Sequence, residues 1–192
     1  IANREGKLVG LNTDGQGFVG ALHHDFGFDP SGADCVVLGA GGAARSVILA
    51  LTRVGARSVK VINRSAANAE AAAGLAGAIG SVAGPEALAG ADLVVNATSV
   101  GMAGVESGTQ SGPGAMPCDP GLLGPSQVVV DLIYNPAETA FMKAAAARGA
   151  RVANGVSMLV YQAAVAFEEW TGVTAPVDAM FEATAAELKA RS

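Results

Sequence analysis

The sequence predicts an α/β fold: a doubly wound parallel sheet with helices on both faces, followed by further helices at the C-terminus. Three observations carry this. Short segments that are apolar at nearly every position, such as Cys35-Val36-Val37-Leu38 and Val128-Val129-Val130, alternate with longer helical stretches. Such strands need cover on both sides, which crossover helices provide. The first of them runs straight into a glycine-rich turn and a helix, Gly39-Ala40-Gly41-Gly42-Ala43-Ala44. The 192 residues are 51% hydrophobic and 15% charged, which supports a substantial core and argues against disorder. Aromatics are only 5%, so packing is expected to rest on Ala and Gly and on close backbone approach.

Each element has its own signal. Residues 1–12 read as a hairpin: Arg4-Glu5-Gly6-Lys7 has turn chemistry and Leu8-Val9-Gly10-Leu11 continues as a strand. Thr13-Asp14-Gly15 starts a helix with Phe18, Val19, Ala21 and Leu22 on its apolar face. A break follows at 27–32, containing Pro30. Residues 34–38 form a buried strand, 43–54 a helix, 58–62 a second strand and 66–78 an Ala-rich helix. A short helical stretch at 86–89 precedes a strand at 92–96. Gly, Pro and Ser crowd 101–127, which is expected to be a long loop. A strand at 127–133, a helix at 138–148, a last strand at 150–153 and helices at 156–170 and 176–190 complete the chain.

The net charge of -5 gives no basic footprint for nucleic acid or for an anionic membrane. No apolar run is long enough to cross a bilayer, and no secretory signal is visible. Cys35 and Cys118 lie far apart with no metal or redox spacing, so they read as incidental thiols of a reducing compartment, and the cytoplasm is the default location. His23 and His24 read as surface residues, and no metal site is expected. The chain opens in a strand-like segment without Met, which suggests a piece of a longer protein.

The turn fits Gly-x-Gly-x-x-Ala between strand and helix, the Rossmann-like arrangement for a dinucleotide. The first Gly makes the turn, the second lets the backbone approach a diphosphate, and the small Ala44 lets helix meet sheet. Unpaired N–H groups at the helix start can then receive phosphate oxygens. The second strand ends at Asn63-Arg64-Ser65, where an NAD site would place a carboxylate for the ribose hydroxyls. A guanidinium suits a 2′-phosphate instead, through paired, charge-assisted bonds. NADP is therefore the expected cofactor.

Three further segments narrow the field: Asn12-Thr13-Asp14-Gly15, Asn96-Ala97-Thr98-Ser99, and Gly155-Val156-Ser157-Met158-Leu159-Val160-Tyr161-Gln162-Ala163-Ala164. Taken in order with the glycine turn and Asn63-Arg64-Ser65, they make the chain resemble shikimate dehydrogenases over essentially its whole length. The resemblance implies reversible reduction of 3-dehydroshikimate to shikimate by NADPH, a step of chorismate and aromatic amino acid biosynthesis. It gives Asp14 the role of a carboxylate that pairs with a catalytic Lys and bonds substrate. It makes Gln162 and Tyr134 substrate contacts. Gly39, Ala40, Gly41, Gly42 and Ala43 become the diphosphate turn, and Asn63, Arg64, Ser65 and Asn68 the 2′-phosphate loop. Leu132 and Gly155 line the nicotinamide end. Each side chain also has a plainer reading: Asp14 as a helix N-cap, Gln162 as a satisfied buried amide, Tyr134 as a packed aromatic.

Two departures from the family matter. Its catalytic Lys lies upstream of Asn-Thr-Asp, and neither Lys7, Lys60, Lys143 nor Lys189 is a plausible substitute, so the chain alone is expected to bind cofactor without efficient turnover. Position 68 often carries a second cation in the family but is Asn68 here, which leaves Arg64 most of the charge recognition. On the same resemblance, residues 1–14 are the end of a substrate domain, 15–155 the NADP-binding domain, and 156–192 helices that pack back toward the substrate domain. Exposed apolar surface and self-association, as a homodimer, are then expected. A quinate or aminoshikimate dehydrogenase would share these motifs, and a non-catalytic NADP-binding module is the reading from another class.

Overall fold

The computed structural model describes residues 1–103 and 114–190. Part of the expected loop at 101–127, residues 104–113, lies outside the described residues. The hairpin is β1 (Ala2–Arg4) and β2 (Lys7–Val9), antiparallel, with Glu5 and Gly6 at positive φ in its turn. Helix α1 (Asp14–Phe26) leads into β3 (Asp34–Leu38), α2 (Gly42–Arg53) and β4 (Ser58–Ile62). Helix α3 (Ala66–Ala73) is followed by β5 (Gly80–Val82), β6 (Leu93–Asn96) and β7 (Val128–Asp131). Helix α4 (Ala140–Ala147), β8 (Arg151–Ala153), α5 (Val156–Thr171) and α6 (Val177–Ala190) end the chain. Strands β3 to β8 form one parallel sheet in the order β5-β4-β3-β6-β7-β8.

The double winding follows from the strands themselves. Alternate residues of a strand point to opposite faces, so an all-apolar strand supplies two cores. Cys35 and Val37 of β3 join Phe18, Leu22, Val47, Ile48 and Leu51 of α1 and α2. Val36 and Leu38 join Leu88, Phe141 and Ala145 on the other face.

Several expectations need correction. Strand β5 is absent from the sequence reading because Gly80-Ser81-Val82 is too short and too polar to signal itself; it exists as the edge partner of β4. The helix expected to reach residue 78 stops as α-helix at Ala73, and a 3-10 segment over Gly74–Ile79 with Gly77 at φ 57° replaces the rest. Strand β7 ends at Asp131 rather than 133, because the Asp131 side chain accepts the Ile133 N–H and bends the chain. Helix α4 starts later than expected, where the Thr139 hydroxyl caps the Met142 N–H. The segment expected to be helical at 86–89 is a 3-10 turn over Pro85–Gly90, and another turn sits at Pro120–Leu122.

Helix α5 crosses α1 at very short range. A Cβ placed on Gly17 would lie 2.5 Å from the Gln162 backbone nitrogen, and one on Gly20 would lie 3.0 Å from the Tyr161 ring. Helix α6 has no buried residue and is attached largely by aromatic contact: His24 stacks on Phe181 with ring centroids 4.8 Å apart, and Tyr161 meets Phe181 edge-on. His24 is exposed as expected, but its ring is a packing surface.

Substituting Gly17→Ala forces α1 and α5 apart and is expected to destabilise the fold by about 1–3 kcal/mol, the usual cost of overpacking. Gly10→Ala, whose Cβ would meet nothing within 4 Å, serves as the control. Urea unfolding of the two variants checks this, and equal midpoints would count against the tight crossing.

Candidate active site

Strand β3 ends at a turn that only glycine can open. Gly39 has φ of 104°, and a Cβ there would meet the Ala97 carbonyl oxygen at 3.0 Å. Gly41 is the N-cap of α2 and offers no side-chain acceptor, while Cβ atoms on Gly41 or Gly42 would meet nothing within 4 Å. The first-turn N–H groups of α2 therefore lack a capping side chain and have open space beside them. That donor set suits a diphosphate. The Arg45 Nε donates to the Ala40 carbonyl at 3.2 Å and braces the turn from behind.

A cleft of about 340 Å³ opens here, lined among others by Gly39, Gly41, Asn63, Arg64, Thr98 and Ser99. It lies at the C-terminal ends of β3, β4 and β6. The chain leaves β3 toward β4 on one side and returns to β6 on the other, so this is the switch point where such sheets bind ligands. Within the loop after β4, Asn63 Nδ2 donates to the Ser65 carbonyl at 3.0 Å, and the Ser65 hydroxyl caps α3 by accepting the Asn68 N–H at 3.4 Å. Asn63, Ser65 and Asn68 thus hold the loop's own shape. Arg64 is exposed and forms no ion pair among the described residues, which leaves its guanidinium available to a ligand.

Asp14 is the first residue of α1, and the cap position is Thr13, with no side-chain cap bond. Simple N-capping is therefore not what Asp14 does. Its Oδ2 accepts from Asn12 Nδ2 and from Ser46 Oγ of α2, both at 3.4 Å. Thr13 Oγ1 donates to Gln162 Oε1 at 3.4 Å, while Gln162 Nε2 donates to the Leu159 carbonyl at 3.1 Å. The carboxamide is thus tied down at both ends, with one N–H to spare. The Asn12-Thr13-Asp14 segment is joined to α2 through Ser46 and to α5 through Gln162.

After β7 the chain bends through Leu132 and Tyr134. The Leu132 N–H donates to the Asn96 carbonyl at 2.9 Å, and the Gly155 N–H to the Ile133 carbonyl at 3.0 Å. A Cβ on Gly155 would lie 2.1 Å from the Leu132 carbonyl oxygen, so α5 can start there only from glycine. Tyr134 is 42% exposed.

Sequence reasoning missed the polar group behind this bend. Asn96 and Asp131 are fully buried, face each other in the β6–β7 register, and are bonded through Asn96 Nδ2 to Asp131 Oδ1 at 2.9 Å. Thr139 Oγ1 donates to Asp131 Oδ2 at 2.7 Å. Burial raises the Asp131 pKa above the ordinary carboxylate value, while the bonds from Thr139, the Ile133 N–H and Asn96 pull it down. The available signal was one polar residue at the end of each of two apolar strands. Burial pushes the thiols of Cys35 and Cys118 up to about 12, consistent with two inert cysteines. No group of three or more His, Cys, Asp or Glu suited to a metal, and no helix long and apolar enough to cross a membrane, occurs among the described residues.

The strand order and the uncapped glycine turn define a Rossmann-like domain of the kind that binds dinucleotides at its switch point. Residues 155–183 match the model of the shikimate 5'-dehydrogenase C-terminal domain. The shikimate dehydrogenase (NADP(+)) of Desulforamulus reducens is 42% identical over 94% of this chain and 63% of its own length. The Thermus thermophilus shikimate 5-dehydrogenase, solved with NADP(H) and shikimate, matches with TM-score 0.82 and 38% identity over 94% of this chain and 64% of its own. The 5-ketofructose reductase of Gluconobacter sp. strain CHM43 matches with TM-score 0.83 and 36% identity over 97% of this chain and 67% of its own. The chain is thus similar to shikimate dehydrogenases over nearly all of its own length. It spans less than two thirds of the length of the curated relatives it matches most strongly.

Gly155→Ala puts a methyl group into the Leu132 carbonyl and is expected to shift the start of α5, at a cost of about 1–3 kcal/mol. A fall in melting temperature with loss of the Gly155 amide's protection from hydrogen exchange would bear this out; unchanged exchange would not.

Proposed function

We propose that the protein is an NADP-dependent shikimate dehydrogenase, reducing 3-dehydroshikimate reversibly to shikimate, and that this chain supplies the cofactor site and part of the substrate site. The observation that carries the cofactor reading is Arg64, without an ion pair among the described residues, beside a glycine turn whose helix N–H groups have no capping side chain. Support also comes from relatives named as NADP enzymes and from a related structure holding NADP(H) and shikimate.

In this reading Gly39, Ala40, Gly41, Gly42 and Ala43 receive the diphosphate, and Arg64 pairs with the 2′-phosphate. The bound nicotinamide supplies the hydride. Leu132 and Gly155 bound its end of the cleft. Asp14 bonds a substrate hydroxyl and holds a lysine that provides the proton for the new alkoxide. Among the described residues Asp14 bonds Asn12 and Ser46 and forms no ion pair. Gln162 offers its remaining N–H to a ring hydroxyl, and Tyr134 borders the same pocket. The division at residues 14 and 155, a cytoplasmic location and a homodimer belong to the same proposal.

A second reading, reduction of another polyhydroxylated ketone, is favoured by the likeness to 5-ketofructose reductase. It changes the ring or chain that Gln162 and Tyr134 meet, and leaves the cofactor site as it is.

Calorimetric titration of the chain with NADP and with NAD is the test. NADP should bind more tightly, and Arg64→Ala should weaken NADP by about 10- to 150-fold, the equivalent of one charge-assisted contact of about 1.5–3 kcal/mol, with NAD little changed. A wild-type preference for NAD would overturn the cofactor assignment. With Asn68 in place of a second cation, Asn68→Arg is expected to tighten NADP further and leave NAD unaffected.

A further inference from the structure

We propose that Asp131 is a positioning residue: its buried side chain fixes, through Asn96 and the Ile133 N–H, both loops that flank the nicotinamide end of the cleft. The proposal rests on the NADP reading above. It follows from how many backbone turns converge on one carboxyl group. Asp131 is fully buried at the end of β7, where nothing can solvate it. Its Oδ1 accepts from Asn96 Nδ2 at 2.9 Å and from the Ile133 N–H at 3.2 Å, and its Oδ2 accepts from Thr139 Oγ1 at 2.7 Å.

Each partner controls a different piece of chain. Asn96, held by its amide nitrogen, turns its Oδ1 to accept both the Thr98 N–H at 3.1 Å and the Thr98 hydroxyl at 2.7 Å. The Thr98 hydroxyl in turn accepts the Val100 N–H at 3.1 Å. That relay sets the path of the loop after β6, whose Thr98, Ser99 and Val100 line the cleft. On the other side, the bond to the Ile133 N–H turns the chain after β7 so that the Ile133 carbonyl meets the Gly155 N–H at 3.0 Å. The start of α5, and with it the helix that carries Gln162, is placed by that contact. Thr139 ties the same carboxyl to α4, on the far face of the sheet from α1.

One side chain therefore sets the cleft loop after β6 and the start of α5, and leaves the adenosine end alone, since Asn63 and Arg64 follow β4 and share no bond with it. Supporting groups of this kind hold the residues that face a ligand's reactive end in their productive geometry.

Saturation-transfer NMR with NADP, which reads nicotinamide and adenine protons separately, tests this. Asp131→Ala removes the acceptor shared by Asn96 and the Ile133 N–H. It is expected to lower the nicotinamide signal relative to the adenine signal by at least about twofold, with the NADP dissociation constant within about threefold of wild type. Thr139→Val removes only the bond to Oδ2 and the α4 cap. It should lower the melting temperature and leave the signal ratio at the wild-type value. If Asp131→Ala does not fold cooperatively, Asn96→Ser cuts the same relay from the other side and carries the same expectation. An unchanged ratio, a parallel loss of both signals, or an equal change in Thr139→Val would each overturn the proposal and leave the NADP reading standing. Failure of the wild-type chain to bind NADP at all would instead sink the NADP reading, and this inference with it.

Discussion

Backbone lies close against backbone at several places in this molecule, and three of these approaches shape the site. Gly39 passes under the Ala97 carbonyl, Gly155 sits on the Leu132 carbonyl, and Gly17 faces the Gln162 nitrogen. A methyl group would collide outright at Gly155 and Gly17, and would press on the Ala97 carbonyl at Gly39. The first contact opens the turn into α2. The second places the start of α5. The third brings α5 against α1, so that Thr13 reaches Gln162 and the Asn-Thr-Asp segment is held against the sheet domain. A chain rich in Ala and Gly and poor in aromatics packs in this way because close approach substitutes for large side chains.

The cleft combines two kinds of recognition. Its floor is made of uncapped helix N–H groups and open glycines, which favour a negatively charged group without a side-chain cation. Its rim carries the guanidinium of Arg64, in a chain whose net charge is -5. Selectivity for a phosphorylated ribose must then come from local geometry, because the overall field of the protein repels anions. The Asn-Thr-Asp segment and α5 work differently. Asp14 and Gln162 are anchored by neighbours before any ligand arrives, which fixes their direction and limits the hydrogen bonds they have left to give.

Behind the loop after β6 and the start of α5 lies a small buried polar cluster in an otherwise apolar sheet. Asn96, Asp131 and Thr139 satisfy one another, and the raised Asp131 pKa reflects the cost of keeping a carboxyl away from water. Parallel pairing of β6 with β7 in register is what sets the amide beside the carboxyl. A core made only of aliphatic groups would leave the two following loops without these anchors.

Residue order alone was enough for the fold class, the alternation of strands and helices, the glycine turn and the Arg64 loop, because these depend on local periodicity and on residue chemistry within a few positions. It also marked Asp14 and Gln162, far apart in the chain, through the motifs around them. Other features needed the folded chain. The edge strand β5 exists only because β4 offers it a partner, and the α3 helix gives way at Gly74 and Gly77 to a 3-10 segment. Asp14 does not cap its helix, and Asn96 meets Asp131 only because parallel strands pair in one register. Such features depend on groups brought together from distant parts of the chain, and no local pattern records which partners will arrive.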